Sequence, residues 1–104
     1  MSLRKFEIHF DEEKVKAYGK YTTEQLYSML DTLMKHRNID ILNQGVYQTK
    51  EDTDKTHDMF FAFLMALTKT EWFIANVDKW LYYHDGDVED CVEEHKRFLE
   101  KENG

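Results

Sequence analysis

The side chains best suited to chemistry in this 104-residue sequence lie near its C-terminal end, where Cys91 precedes His95 by four residues. Residues four apart lie on one face of a helix, and a thiol beside an imidazole is the pairing that activates a nucleophilic cysteine. The same two side chains, joined by His84, Asp85 or Asp87, could supply the four ligands of a zinc ion. Because the chain has one cysteine instead of two closely spaced ligand pairs, we expect Cys91 to be an ordinary buried side chain. Zinc binding stays open as an alternative.

Other catalytic or cofactor motifs are missing from the sequence. The glycines, at positions 19, 45, 86 and 104, are isolated, so there is no glycine-rich loop of the kind that holds phosphates. We therefore predict no catalytic residue, no bound cofactor and a protein that is not an enzyme.

Aromatic side chains make an interaction surface the more promising site. The segment from Thr70 to Tyr83 contains more aromatic area than one core-facing helical stripe can bury. Tyrosine and tryptophan often anchor interfaces because a large apolar body is buried while the polar tip keeps a partner. We predict that Trp72, Tyr82 and Tyr83 form this surface, and that another protein or a second copy of the chain covers it.

The charge is concentrated in the second half of the chain. Residues 1–50 carry eight basic and seven acidic side chains, whereas residues 51–104 carry six and fourteen, so that half accounts for the whole net charge of -7. An anionic surface repels phosphate backbones, so we expect no direct nucleic-acid binding. A further alternative follows from the same charge, namely an acidic decoy for a nucleic-acid-binding protein.

Length and composition predict a single cytoplasmic domain over residues 1–104. A second core does not fit in a chain of this length, and a hydrophobic content of 41% suffices for one. A single cysteine cannot form an internal disulfide, which fits a reducing compartment. The longest apolar run, Met59 to Leu67, is too short to span a bilayer, and no signal-peptide pattern opens the chain, so we expect no membrane association.

The first half of the chain has clear local signals. Arg4 to Phe10 alternates between apolar and polar residues and predicts a half-buried strand. Asp11 could cap a single helical turn that Gly19 ends. Thr22 and Gln25 form a capping box, which predicts a helix running to about Arg37 with Asn38 as its stop. Four further expectations concern the next stretch: an extended piece at 39–42 and a turn at 43–45, then a strand at 46–49 and an exposed connection at 51–55.

The apolar run from Met59 to Leu67 is ambiguous, because periodicity cannot separate a buried strand from a buried helix when every residue is apolar. Alanine, leucine and methionine favour a helix, whereas three phenylalanines in four residues favour a strand. A fresh helix-start pattern at Thr68 to Glu71 argues against one continuous helix. We therefore predict a strand over 59–67 followed by a helix over 70–83, with one long aromatic helix in a mostly α protein as the alternative.

These elements predict an α+β fold with the order β-α-β-β-α-α. The strand over 59–67, apolar on both sides, would lie between the other two, giving a split β-α-β unit with a three-stranded sheet in the order 1-3-2. Asp87 or Asp90 would cap the last helix, whose apolar stripe comprises Val88, Cys91, Val92, Phe98 and Leu99. Because the central strand is apolar on both faces and helices on one side leave the other uncovered, we expect a homodimer.

Three segments carry a resemblance to a group of known proteins: Lys5 to Lys14, Tyr21 to Tyr27, and Glu71-Trp72-Phe73 with Asn76-Val77 and Trp80. Over most of residues 4–84 the chain resembles small uncharacterised accessory proteins carried on mobile elements of Gram-positive gut bacteria. The resemblance implies an accessory gene product and supplies no catalytic residue.

Together these observations predict a small cytoplasmic, non-enzymatic protein that acts as a protein–protein interaction or accessory module. The alternatives are a zinc-binding protein that uses Cys91 and His95, with His84 and Asp87, and the acidic decoy.

Overall fold

The computed structural model describes residues 3–103 and has an α+β fold, as the composition and patterning predict. Its strands pair antiparallel throughout, in one five-stranded sheet. The elements in chain order are β1 (Lys5–Phe10), α1 (Glu12–Tyr18), α2 (Thr23–His36), β2 (Ile39–Asn43), β3 (Val46–Thr49), α3 (Asp54–Leu67), α4 (Glu71–Ile74), β4 (Val77–His84), β5 (Asp87–Asp90) and α5 (Cys91–Asn103).

The first two helices begin and end where the capping residues predict. The Asp11 side chain accepts hydrogen bonds from the first turn of α1, and Gly19 ends that helix in the left-handed conformation. Thr22 and Gln25 form the predicted reciprocal capping box at the start of α2. The helix ends at His36 with Arg37 as its C-cap, and Asn38 has a positive φ of 57°. Local hydrogen bonding therefore sets both boundaries of each helix.

The predicted turn at residues 43–45 joins β2 and β3 in a hairpin. Gly45 has a φ of 77°, and its carbonyl accepts a hydrogen bond of 2.7 Å from the backbone N–H of Ile8 in β1. A Cβ atom at Gly45 would lie 2.2 Å from the carbonyl oxygen of Ile8. Glycine is thus required both by the conformation of the turn and by the close approach of β1.

The prediction of a strand over 59–67 is wrong, because this segment forms most of the helix α3. Thr53 caps the helix by accepting a hydrogen bond from the backbone N–H of Thr56. Phe60, Phe63, Leu64 and Leu67 are buried, which is the i, i+3, i+4, i+7 spacing of one helical face. Helix propensity of the alanine, leucine and methionine residues therefore prevails over the strand preference of the phenylalanines.

The prediction of a helix over 70–83 is also wrong. A new helix does begin at Glu71, but α4 lasts only four residues, and the chain from Val77 to His84 is the strand β4. Asp85 and Gly86 both have positive φ and form a two-residue hairpin turn into β5. Residues 87–90 are therefore a strand; of the two predicted caps only Asp90 serves α5, by accepting hydrogen bonds from the N–H groups of Val92 and Glu93.

The sheet order β2-β3-β1-β4-β5 replaces the predicted three-stranded order 1-3-2. The outer strands of the predicted split β-α-β unit were to be parallel, whereas β1 pairs antiparallel with both β3 and β4. The predicted order placed a strand over 59–67 next to β1. Because that segment is helical, β4 pairs with β1 in its place. Each of the five helices contributes at least one side chain to a single core on one face of the sheet, including Val15, Leu26, Phe60, Phe73 and Cys91.

Replacing Gly45 with alanine should destabilise the protein far more than the same change at Gly86. Both glycines have positive φ, so both variants suffer the cost of a left-handed residue, about 1 kcal/mol. Only Gly45→Ala also drives a Cβ atom into the backbone of β1, since a Cβ atom at Gly86 would meet nothing within 4 Å. We expect denaturant unfolding to show an extra loss of about 2 kcal/mol or more for Gly45→Ala. Equal losses in the two variants would contradict the close packing of the turn on β1.

Candidate interaction surface

The α3 outer face is the most apolar exposed region of the helical layer. It consists of Met59, Phe61, Ala62, Met65 and Ala66. Met59, Phe61 and Met65 are 54%, 52% and 46% exposed, which is unusual for large apolar side chains grouped on one helix.

This exposure follows directly from the sequence of α3. Every residue from Met59 to Leu67 is apolar, so this part of α3 is apolar around its whole circumference, but the sheet can cover only one side of it. The covered side packs tightly, with the ring of Phe60 stacked 4.1 Å from that of Phe6 in β1. The other side has no sheet to face. A helix of this kind is normally covered on both sides, which marks the α3 outer face as a candidate interface.

A groove with a volume of about 220 Å³ lies next to this face, between the N-terminal half of α3 and the end of the β2–β3 hairpin. Ile39, Met59 and Phe60 contribute apolar atoms to its lining, and Arg37, Lys50 and Lys55 contribute basic groups. Glu51 is the single acidic side chain of the lining. Because Lys50 pairs with Asp40, the remaining charged side chains of the lining are Arg37, Lys55 and Glu51.

Helix α5 presents a second apolar surface at the opposite edge of the sheet. Its first turn is anchored, since Cys91 is buried and Val92 packs against the core. Further along the same helical face, Phe98 and Leu99 are 57% and 43% exposed. The first turn of α5 thus packs against the core, whereas the apolar stripe of its later turns is uncovered.

The side chains predicted to form an interaction surface lie in different places. Trp72 is on the short helix α4, where it is half-buried and packs against Phe73. Tyr82 is buried in the core beside Phe6 and Phe60. Tyr83 is half-buried on the opposite face of the sheet. The structure does not bring these three aromatic residues together.

Tyr83 belongs to a polar cluster on the sheet face away from the core. Its hydroxyl donates a hydrogen bond of 3.0 Å to Glu7, and Lys79 and His9 each lie 3.6 Å from the same carboxylate. The ammonium group of Lys5 lies 4.4 Å from the centre of the Tyr83 ring. The hydrogen bond from Tyr83, with smaller contributions from Lys79 and His9, lowers the pKa of Glu7, whereas partial burial and the Glu7 carboxylate raise the pKa of Tyr83.

A second polar cluster joins three parts of the chain that the sequence gives no reason to connect. The mostly buried Arg4 contacts Asp85 at 3.0 Å and the Nδ1 atom of His57 at 3.3 Å. The Nε2 atom of His57 lies 2.9 Å from Asp52. Hydrogen bonding to Arg4 lowers the pKa of Asp85. The cluster links the start of β1 to α3 and to the β4–β5 turn, which indicates a structural role.

The residues of the alternative zinc site are not gathered around a common point. In the stretch from 3 to 103, no three or more histidine, cysteine, aspartate or glutamate side chains are placed to hold a metal ion. The His84 side chain instead hydrogen bonds to Glu89 at 3.0 Å. Asp87 is the residue opposite His84 in the backbone register of the β4–β5 hairpin. Burial, reinforced by the nearby acids Glu89, Asp90 and Glu94, raises the pKa of the Cys91 thiol to about 12. Cys91 is therefore protonated at neutral pH and poorly suited to nucleophilic attack.

Comparison with protein-family models, with curated proteins and with solved structures found no match. Of the helices in the described part of the chain, none is both long and apolar enough to cross a bilayer.

Cys91 should resist thiol reagents in the folded protein. Because its side chain is buried and its pKa is raised, we expect labelling near pH 8 to be at least about a hundredfold slower than in denaturant. The rate can be followed by mass spectrometry, with the denatured chain as the control. Rapid stoichiometric labelling of the native chain would contradict the burial of Cys91.

Replacing Tyr83 with phenylalanine should raise the pKa of Glu7 towards its ordinary value of 4.5. The lowered pKa means that Glu7 stabilises the fold above that value, and that this contribution is lost as the pH falls through the pKa of the folded state. The carboxylate is partly exposed, so we expect less than about 1 kcal/mol. Side-chain NMR titration of Glu7 gives the measurement, and Tyr21→Phe is the matched control. An unchanged Glu7 titration in Tyr83→Phe would show that the hydrogen bond does not form.

Proposed function

We propose that this chain is a small non-enzymatic protein that acts as a protein–protein interaction module, and that the α3 outer face is its principal contact surface. The observation that carries the proposal is the exposure of Met59, Phe61 and Met65 on the part of α3, residues 59–67, that is apolar on every side. Scattered exposed apolar residues need no explanation, but three large ones grouped on one helix are typical of binding surfaces.

Two features of this surface support a protein as the partner. Methionine is flexible and polarisable, and adapts well to an irregular partner surface, while Phe61 supplies a rigid aromatic anchor. The adjacent groove adds Arg37 and Lys55 as basic groups that could pair with acidic side chains, while its Lys50 pairs with Asp40. The resemblance to accessory proteins of mobile elements supports an accessory role, and the single buried cysteine is compatible with the cytoplasm. The acidic-decoy alternative stays a prediction.

Photo-crosslinking tests this proposal. A benzophenone side chain in place of Ala62 lies at the centre of the α3 outer face, and we expect it to form a discrete crosslinked product with a partner protein in cells. The product should disappear when Phe61→Ser and Met65→Ser are added to the same chain. Because both side chains are about half exposed, these changes should alter the free energy of unfolding by no more than about 1 kcal/mol.

The control places the benzophenone at Leu42 of β2, which is 54% exposed and therefore as accessible as Met59. Equal crosslinking from positions 42 and 62, or crosslinking at 62 that persists in the serine variants, would overturn the proposal. A stability loss of several kcal/mol in the serine variants would instead show that the α3 outer face belongs to the core.

A further inference from the structure

We infer that the α3 outer face binds the same face of a second copy of this chain, with the two α3 helices antiparallel about a two-fold axis that pairs Asp58 of each copy with Lys69 of the other. The inference rests on the proposed function, because it names one partner for the same surface. It depends on one property of the face, which is complementary to itself in both size and charge when it is rotated end over end.

A line of four exposed residues runs along the α3 outer face and has a charged residue at each end: Asp58, Ala62, Met65 and Lys69. They follow one another at steps of four, three and four residues, which is the spacing of the seam between two packed helices. Lys69 lies just beyond the end of α3, where its N–H donates a hydrogen bond of 3.1 Å to the carbonyl of Ala66. The turn therefore continues the path of the helix as far as Lys69.

Large and small side chains alternate along this face in a way that suits antiparallel packing. A two-fold axis through the middle of the line places Ala62 of one copy at the height of Met65 of the other. The same axis places Ala66 close to Met59 of the second copy and brings the two Phe61 rings to one side of the seam. Each methionine therefore meets an alanine, which lets the two helices approach closely.

The charged ends of the line are complementary under the same rotation. Asp58 of each copy lies opposite Lys69 of the other, so the seam has an ion pair at both ends. Among the side chains that the structure describes, none forms an ion pair with Asp58 or Lys69 within the chain. Both groups are therefore available to a partner.

The neighbouring charged groups do not reverse this attraction. In the first turn of α3, Asp54 and Lys55 are both exposed and have opposite signs, and Lys55 lines the groove. Just before that turn, Asp52 lies 2.9 Å from the Nε2 atom of His57. At the other end, Glu71 accepts a hydrogen bond of 3.3 Å from a tyrosine hydroxyl of α1. The pairing of Asp58 with Lys69 therefore decides the sign of the interaction at each end of the seam.

A parallel arrangement of the two helices is unfavourable in both respects. It would place Asp58 against Asp58 and Lys69 against Lys69, and it would align the two helix dipoles. It would also crowd Met65 against Met65 and leave a gap where Ala62 faces Ala62. Size and charge thus both select the antiparallel arrangement.

This complementarity favours a second copy over an unrelated protein. A surface for an unrelated partner has to match that partner alone, whereas an interface about a two-fold axis has to match itself. The three large side chains of the face are about half exposed, so the contact buries less than the roughly 800 Å² per partner that is typical of a stable interface. We therefore expect a weak, reversible dimer with a dissociation constant of about 10 μM.

Exchanging the two charges tests the inference with the full-length chain. In sedimentation equilibrium at about 0.15 M salt, Asp58→Lys or Lys69→Asp alone should weaken the dimer at least about tenfold, because like charges then meet at both ends of the seam. Both changes in one chain should restore the affinity of the wild type, because each ion pair forms again with its signs exchanged. The doubly changed chain keeps the net charge of -7, so its recovery cannot come from a general effect of charge.

An equimolar mixture of the two single variants gives an independent measurement. It should form a mixed dimer as tight as the wild type, since Lys meets Asp at both ends of that dimer. Lys16→Asp, at an exposed position on α1, is the matched control for Lys69→Asp and should leave the dimer unaffected. Circular dichroism should show the same helix content in every variant, because all the changed side chains are exposed.

The opposite results overturn the inference. A wild-type chain that stays monomeric at millimolar concentration excludes the dimer, and a dimer that neither single change weakens uses another surface. A doubly changed chain as weak as the single variants excludes the antiparallel pairing. If crosslinking from position 62 then still identifies a different protein, the proposed function stands and only the second copy is wrong. If that crosslinking fails as well, both fall.

Discussion

The packing of Phe60 on Phe6 is the contact on which the rest of this structure depends. It places α3 across the middle of the sheet, where Phe60 also meets the ring of Tyr82 in β4. Because α3 covers β1 and β4 from one side, the buried half of its circumference is fixed, and with it the half that must remain exposed. Packing at the centre of the core thus decides which apolar side chains of α3 are buried and which are exposed.

The same constraint explains the asymmetry of the molecule. Every helix contributes to one core on one face of the sheet, and the other face carries the polar cluster around Glu7. Antiparallel sheets tolerate this arrangement because alternate side chains can face water. Large exposed apolar side chains are found on α3 and α5 of the helical layer, and also at Leu42 and Val88 of the two edge strands. The predicted interface of Trp72, Tyr82 and Tyr83 is divided among α4, the core and the polar face.

Much of the N-terminal half could be predicted because its signals are local. Capping side chains at Asp11 and Thr22 hydrogen bond within three residues of their own position, and the turn from Asn43 to Gly45 is indicated by its own residue types, although the close approach of β1 to Gly45 is visible only in the structure. The α+β class and the alternation of β1 are likewise indicated by patterns within short stretches of the sequence. Asp85-Gly86 also carries a local signal, since an aspartate followed by a glycine between extended segments strongly favours a tight hairpin turn. Asp87 and Asp90 next to it, however, indicate the cap of a helix and not a second strand.

What the sequence by itself determined is therefore the set of local boundaries and the presence of an apolar segment that needs covering on two sides. The pairing of strands decides that Val77 to His84 is extended, whereas the helix over Met59 to Leu67 follows local propensities that compete with the strand preference of its phenylalanines. The sequence of β4 has the spacing of a helix for a specific physical reason. A bulge between His9 and Phe10 in the β1–β4 pairing lets Val77 and Trp80, three residues apart, both face the core. That spacing imitates a helix, and only the pairing with β1 reveals it as a strand, because register is a property of two strands and not of one.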